Sequence, residues 1–276
     1  MSSRRLSPAP SATSGRSADP AMDSLAHLDQ LGLLFTASSL AGFIDAIAGG
    51  GGLITLPALL LMPIAPIQAL ATNKLQGSFG TLTASLTMLR RGVVTVAEVR
   101  LLFVASLLGS TLGAVLLLLV DPKSLDRLIP VVLVGVALYF LLSPRTGEGE
   151  RPPRVGTTLY RLLVVPGIGL YDGMFGPGSG SLFSASGVLL RGQSLLSATA
   201  TAKVLNFAAN LASLTVFILG DQVQWGVGAV MIVGNMLGAR LGALAAIGGG
   251  ARLIRPMIVL ICLAMLVRYA WQNGLV

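Results

Sequence analysis

Long runs of apolar residues, separated by short polar connections, make up most of this chain. A run of about 20 apolar residues is long enough to cross a bilayer as a helix. Eight such segments follow one another, a pattern that predicts an all-α polytopic membrane protein. The segments cover about residues 30–62, 66–89, 101–120, 127–142, 162–190, 194–219, 223–247 and 254–271.

The segments form two homologous halves of four segments each. GFIDAIAGGGG in the first half matches GLYDGMFGPGSG in the second, and ALATNKLQGSFGTLTAS matches SATATAKVLNFAANLAS. Asp45 aligns with Asp172 at an offset of 127 residues, and Lys74 aligns with Lys203 at an offset of 129. Such regular offsets indicate an internal duplication. The predicted organisation is a disordered tail over 1–24, a first repeat over 25–142, a polar connecting loop over 143–158 and a second repeat over 159–276.

The first segment of each half is interrupted by glycines, at Gly49–Gly52 and at Gly176–Gly180. If each interrupted segment returns to the side from which it came, the three remaining crossings invert the second half. Ten arginines of the connections then share one face, against Lys123 and Arg127 on the other. Full crossings would divide these residues seven against five, so the positive-inside rule favours the first arrangement. We therefore expect inverted repeats with Gly-broken first segments, a design that recurs in transporters.

Composition supports a membrane protein and argues against other classes. Hydrophobic residues make up 54% of the chain and charged residues 11%, whereas a soluble protein carries about 25% charged residues. The net charge of +8 does not predict nucleic-acid binding, because the basic residues lie in short connections and form no aromatic-interleaved basic face. With Cys262 and His27 as the only residues of their kinds, we expect neither a metal site nor a cofactor. Residues 1–24, rich in Ser, Ala, Pro and Arg, predict a disordered tail without the apolar core of a secretory signal.

Only five ionisable residues lie well inside the apolar segments: Asp45, Lys74, Asp172, Lys203 and Arg240. Such residues are costly in a bilayer and are usually functional. Lys74 has the neighbouring amides Asn73 and Gln76. Lys203 shares one helical face with Asn206 and Asn210. These groups predict a cationic, amide-lined site for an oxyanion. Alternatively, each lysine pairs with the aspartate of its own or of the opposite half and fastens the bundle. The two interpretations are equally supported and do not exclude one another.

The glycine runs predict a second element of the same site. They let the backbone leave helical geometry and expose N–H groups, and half-helices over 53–61 and 181–190 would direct their positive ends toward an anion. Close helix packing is the alternative, and it suits the pairs Gly109/Gly113 and Gly238/Gly242 better than four consecutive glycines. Asp45 and Asp172 are expected to couple protons or to cap helices. Arg240 is expected to bridge helices or to stay near the basic face, with Asn235 assisting it. The candidate substrate-binding residues are Gly49, Gly50, Gly51, Gly52, Asn73, Lys74, Gln76, Gly176, Gly178, Gly180, Lys203, Asn206 and Asn210.

The strings GFIDAIAGGGGLITLPALL, ALATNKLQGSFGTLTASLTMLRRG, YDGMFGPGSGS and TAKVLNFAANLASL resemble the TSUP family, also called the sulfite exporter TauE/SafE family, and within it the large bacterial permease branch. The resemblance covers about residues 31–271. It implies a secondary carrier of the bacterial cytoplasmic membrane for sulfite, sulfonates or other small sulfur-containing or organic anions, with suspected proton coupling. By motif, the family's characteristic positions are occupied by Gly49–Gly52, Asn73, Lys74, Gln76, Asp172, Lys203 and Asn206.

Three functions are weighed on these patterns. A secondary transporter, in the export direction, fits the duplication, the broken segments and the buried lysines. An anion channel would use the same residues, but continuous polar faces that line a pore are missing. An intramembrane enzyme using Asp45 and Asp172 would need a GxGD motif, which the sequence lacks. We therefore expect a transporter and no enzyme, with a small anion and the lipid bilayer as partners. Assembly into a homo-oligomer stays open.

Overall fold

The computed structural model describes residues 20–120 and 151–249, and every regular element within them is helical. This confirms the all-α prediction. The first half contains α1 (Pro20–Ala48), α2 (Gly52–Leu60), α3 (Pro66–Arg90) and α4 (Val96–Leu118). The second half opens with a helical turn at Thr157–Leu159 and a π-helical stretch at Tyr160–Val164, and continues with α5 (Val165–Met174), α6 (Ser179–Arg191), α7 (Leu195–Leu219) and α8 (Trp225–Gly249). The predicted segments 127–142 and 254–271 and most of the predicted tail lie outside the described residues, and the domain boundaries stay predictions.

Helix starts follow from local capping residues. Pro66 opens α3, where its fixed φ suits the first turn and its missing N–H is not needed. At the start of α4, the N–H of Thr95 donates to the carboxylate of Glu98 at 2.9 Å, half of a capping box. The hydroxyl of Ser194 accepts from a backbone N–H in the first turn of α7 at 3.3 Å.

Four helices in the described part of the chain are long and apolar enough to span a membrane: Asp29–Ala48, Val96–Leu118, Leu195–Leu219 and Trp225–Gly249. This confirms a multi-pass membrane protein. Their outer faces carry large apolar side chains such as Leu108 and Leu241, which are 63% and 61% exposed. Helix α3 is less apolar because it carries a run of buried polar residues from Thr72 to Ser85.

Each first segment is broken at its glycines and folds back toward its starting end. In the second half, the N–H of Arg154 donates to the carbonyl of Leu190 at 2.9 Å, and the N–H of Arg151 donates to that of Gly192 at 2.8 Å. The end of α6 therefore lies beside the chain that precedes α5. In the first half, Leu34 of α1 and Leu59 of α2 belong to one buried cluster with the beginning of α3.

The first helix of each half packs against the last described helix of the other half, α1 on α8 and α5 on α4. Small residues permit this contact, as predicted for the glycine pairs. Gly109 and Gly113 abut the carbonyls of Pro166 and Leu170, and Gly238 and Gly242 abut those of Ser39 and Phe43. Because residue numbers rise together on both members of each pair, α4 runs parallel to α5 and α1 runs parallel to α8.

The central helices α3 and α7 run in opposite directions. The beginning of α3 shares a cluster with Leu214 and Phe217 near the end of α7, whereas Ala84 and Met88 near its end share another with Leu195 at the start of α7. Ser106 and Ser110 of α4 donate to the carbonyls of Leu205 and Ala209, so α4 runs parallel to α7. These directions are the ones that inverted repeats require. The inverted arrangement across a bilayer stays a prediction.

The contacts lead to a labelling prediction for this arrangement. Val94, in the α3–α4 connection, and Leu195, after α6, share one cluster, while Met62 and Val223 share the cluster at the other end. In a Cys262→Ser background, we expect cysteines placed at Val93 and Gln193 to react with an impermeant maleimide from the cytoplasmic face. Cysteines placed at Pro63 and Asp221 should react only from the opposite face. Labelling of positions 93 and 193 from different faces would refute the arrangement.

Candidate functional site

The two helix breaks meet at the centre of the bundle. Gly49 and Gly176 follow the ends of α1 and α5 and have positive φ angles of +86° and +92°, a conformation that L side chains rarely adopt. A Cβ on Gly49 would collide with the backbone of Gly180 and Ser181. The hydroxyl of Ser181 donates to the carbonyl of Ala48. The breaks of the two halves are therefore in direct contact.

Each buried lysine forms an ion pair with the aspartate of the opposite half. Lys74 Nζ lies 2.8 Å from Asp172 Oδ1, and Lys203 Nζ lies 2.9 Å from Asp45 Oδ2. Each ammonium also donates to the backbone carbonyl of its aspartate. Both lysine side chains are almost fully buried, at 1% and 0% exposure. Of the two interpretations of the lysines, the structure therefore displays the contact that fastens the bundle, and it assigns the partner to the opposite half.

The two aspartates differ in their surroundings, although they are repeat equivalents. Asp172 is 1% exposed, and besides Lys74 its carboxylate accepts from Ser179 Oγ at 2.7 Å and from Asn206 Nδ2 at 3.3 Å. Asp45 is 17% exposed, and its second oxygen accepts from the N–H of Gly51 at 3.0 Å. Asp172 is therefore the more deeply buried of the two carboxylates.

Amide side chains of α3 form a second polar cluster beside the breaks. Asn73 Oδ1 accepts from Thr55 Oγ1 at 2.5 Å and from Gln76 Nε2 at 2.8 Å. Gln76 Oε1 in turn accepts from Asn235 of α8. The other amide atom, Asn73 Nδ2, has no hydrogen-bond partner among residues 20–120 and 151–249 and lies against Gly52 at the start of α2. Asn73 Nδ2 is thus a donor at the cavity to which no described residue is bonded.

The face of α7 that carries Lys203, Asn206 and Asn210 is buried, as its spacing predicts. Asn206 Nδ2 donates to Ser179 Oγ at 2.8 Å, and Asn210 Nδ2 lies 3.4 Å from Asn206 Oδ1. These bonds connect α7 to the first turn of α6.

A cavity of about 30 Å³ lies where the breaks, α3 and α7 meet. On the same measure one water molecule needs about 10–15 Å³, so this volume suits about two waters. Its lining contains only glycines and polar side chains. Of the sequence-predicted residues, Asp45, Gly49, Gly51, Gly52, Asn73, Gln76, Asp172, Gly176, Gly178, Asn206 and Asn210 line it.

Four predicted residues do not line the cavity: Gly50, Gly180, Lys74 and Lys203. The lysines lie behind the carboxylates with which they pair. Sequence reasoning missed Gly77, Thr81, Ser179 and Asn235, which line the cavity as well.

The sequence predicts that Asn235 assists Arg240, but the side chain of Asn235 donates to Gln76 instead. The two residues are five positions apart on α8, about 140° around the helix. Arg240 accordingly lies on the exposed side of α8.

Comparison with known proteins identifies the family of this chain. The profile of the family described as "Sulfite exporter TauE/SafE" matches residues 34–269 of the chain. The chain belongs to the TauE/SafE family. The predicted family membership is thereby confirmed, and no solved structure matches this TauE/SafE chain.

Bacterial relatives match the TauE/SafE chain over nearly its whole length. A "Probable membrane transporter protein" of Haemophilus influenzae is 44% identical over 90% of this chain and 97% of its own length. "Probable membrane transporter protein ORF9" of a Sinorhizobium species is 44% identical over 86% of this chain and 91% of its own. "Probable membrane transporter protein YfcA" of Escherichia coli K12 is 42% identical over 88% of this chain and 90% of its own. The matches agree with the predicted multi-pass protein of a bacterial cytoplasmic membrane.

Proposed function

We propose that this TauE/SafE-family protein is a secondary transporter that exports a small organic or sulfur-containing anion, such as sulfite or a sulfonate, with proton coupling. The observation that carries the proposal is the cavity at the contact of the two helix breaks, which is lined by glycines and polar residues of both halves. Transporters built from inverted repeats bind their substrates at the repeat interface, beside discontinuous helices. The names of the bacterial relatives support a transporter.

Donor groups at the cavity support an anionic substrate. Helix α2 begins at Gly52 and α6 at Ser179, both in the cavity lining, and helix N-termini carry unsatisfied N–H groups and a partial positive charge. Asn73 Nδ2 adds a free donor, and the two lysines stand directly behind the aspartates. A small oxyanion can accept from several of these groups at once.

The size of the cavity favours a carrier over a channel. A space of about 30 Å³ is too small for a sulfonate, so substrate binding requires the two halves to move relative to one another. Lys74 and Lys203 bond across the halves and would move with them. A channel needs a continuous polar path, whereas the buried amide and charged side chains of the described helices cluster around this one cavity.

An intramembrane enzyme is not favoured either. Asp45 and Asp172 each pair with a lysine of the opposite half, and neither is arranged as the partner of the other. The lysine pairs and the duplication together account for both aspartates without a reaction. We therefore propose transport and no catalysis.

Asn73 provides a direct test of anion recognition. Replacing Asn73 with alanine, the residue at the equivalent position of the second half (Ala202), removes the free donor without adding charge. We expect uptake of radiolabelled methanesulfonate or sulfite into proteoliposomes to fall about tenfold, since one hydrogen bond to a charged group contributes about 1.5–3 kcal/mol.

Asn73→Asp sharpens this test. It keeps an oxygen where Thr55 and Gln76 donate, and it replaces the free donor by a negative charge. It should reduce uptake further than the alanine variant, at an unchanged elution volume in size-exclusion chromatography. Undiminished anion uptake by Asn73→Asp would contradict an anion site at this position.

A further inference from the structure

We propose that the carboxylate of Asp45 occupies the anion site as an internal substitute for the substrate, and that its protonation opens the site, so that a proton and an anion move together. This inference rests on the proposed function and deepens it. It assigns proton coupling to Asp45 and a fastening role to its repeat counterpart, Asp172.

Asp45 holds the donors that a small oxyanion would seek. One carboxylate oxygen accepts from the N–H of Gly51 at 3.0 Å, and the other accepts from Lys203 Nζ at 2.9 Å. Gly51 directly precedes α2, a helix of nine residues, so its N–H belongs to the positive end of that helix. An N-terminal N–H together with a buried ammonium is a typical oxyanion-binding pair.

The side-chain nitrogen of Asn73 is a further donor in the cavity lining. Asn73 is 6% exposed, and its Nδ2 faces Gly52, the first residue of α2, without a partner in the part of the chain that the structure describes. The carboxylate of Asp45 thus uses two donors, and Asn73 Nδ2 lies beside the next residue of the chain, Gly52, in the lining of the same cavity. A free oxyanion in the place of this carboxylate can use all three.

The other ion pair does not offer the same exchange. Asp172 is 1% exposed and accepts from Lys74, Ser179 and Asn206. A proton on Asp172 would leave these buried donors without an acceptor, and buried unpaired donors are costly. Asp45 is 17% exposed toward the cavity, so it can receive a proton from a water molecule there.

The charges around Asp45 determine how many anions follow the proton. Lys203 of α7 faces Asp45 directly, and Asp172 of α5, paired with Lys74 of α3, lies across the cavity. Helices α2, α6 and α8 contribute only glycine, hydroxyl and amide groups to the lining. Two carboxylates and two ammonium groups sum to zero. Protonation of Asp45 therefore leaves a charge of +1, which one monovalent anion neutralises.

The step involves one proton and one anion. The proton binds a carboxylate oxygen of Asp45, and Lys203 Nζ and the N–H of Gly51 lose their charged acceptor. The anion then accepts from these two groups and from Asn73 Nδ2. Protonation of Asp45 thus strengthens anion binding. By linkage, the bound anion strengthens proton binding by the same factor.

The test measures methanesulfonate binding to the detergent-purified protein between pH 5 and pH 8, a range in which the charge of this anion is constant. For the wild type we expect the apparent Kd to rise by up to about tenfold per pH unit, because only molecules with a protonated Asp45 are competent to bind the anion. Asp45→Asn should bind without this pH dependence, and at pH 7.5 at least about tenfold more tightly than the wild type. Asp172→Asn is the matched control and should keep the pH slope.

Each outcome decides between the alternatives. A pH slope that persists in Asp45→Asn, or that is lost equally in Asp172→Asn, would overturn the inference, as would a wild type that binds the anion with no slope. If Asp45→Asn does not fold, proton uptake by the wild type on binding methanesulfonate in weakly buffered solution takes its place, and anion binding without proton uptake would equally overturn the inference. A wild type that binds none of methanesulfonate, sulfite and sulfate between pH 5 and pH 8 would overturn the proposed anion transport itself.

Discussion

Replacing Lys74 with glutamine is expected to destabilise the folded protein by about 3–5 kcal/mol, because it leaves the carboxylate of Asp172 buried without its counter-ion. The side chains of this pair are each 1% exposed, so water cannot replace the lost ammonium. Thermal unfolding in detergent, followed by loss of the monodisperse peak, measures the effect. The double variant Lys74→Gln/Asp172→Asn should recover most of the lost stability, since both charges are then gone.

The repeat counterpart of this variant separates fastening from binding. Lys203→Gln leaves Asp45 without its counter-ion. Because Asp45 is 17% exposed to solvent, the loss of stability should be smaller than for Lys74→Gln. Anion uptake should nevertheless be abolished, because Lys203 is the proposed ligand. Equal losses of folded protein in the two variants would favour a purely structural role for both lysines.

Replacing Gly49 with alanine is expected to prevent the two halves from assembling. The residue has a φ of +86°, and a Cβ there would lie 2.3 Å from the backbone nitrogen of Ser181. A backbone atom of a packed helix cannot move aside as a flexible side chain can, so the helix breaks would separate. The yield of monodisperse protein should fall severely, and transport with it.

Gly92→Ala is the control for Gly49→Ala. Gly92 also has a positive φ, +69°, but nothing lies within 4 Å of the place where its Cβ would stand. In this variant only the positive φ of an alanine destabilises the fold, by about 1 kcal/mol, so the protein should remain folded and active. Similar losses in the two variants would show that backbone conformation, rather than contact between the breaks, makes Gly49 necessary.

The duplicated Asp and Lys positions could be predicted from the sequence because intramembrane charges are few and recur at similar offsets, 127 and 129 residues. Their pairing could not be predicted. Lys74 bonds to Asp172 rather than to Asp45 because α1 packs on α8 and α5 packs on α4. Which helices become neighbours is a property of tertiary packing that no pattern within one half expresses.

The start of α4 and the contact between the amides of Asn235 and Gln76 were predicted less well. Hydropathy placed the third segment at about residue 101, yet α4 begins at Val96 because Thr95 and Glu98 cap a polar first turn. Asn235 is the only amide side chain in α8 (Trp225–Gly249), and this isolated amide was the available signal. Its bond to Gln76 depends on the parallel packing of α3 and α8, which was not evident from spacing along the chain.

The exchanged ion pairs join parts of the chain that leave the ribosome at different times. Asp45 and Lys74 enter the membrane before Lys203 and Asp172 have been synthesised, so the first half carries two uncompensated charges until the second half arrives. A single half cannot satisfy them within itself in this fold. The charge balance of each half therefore depends on the other half, so a first half expressed alone would leave Asp45 and Lys74 without the partners that they have in the whole protein.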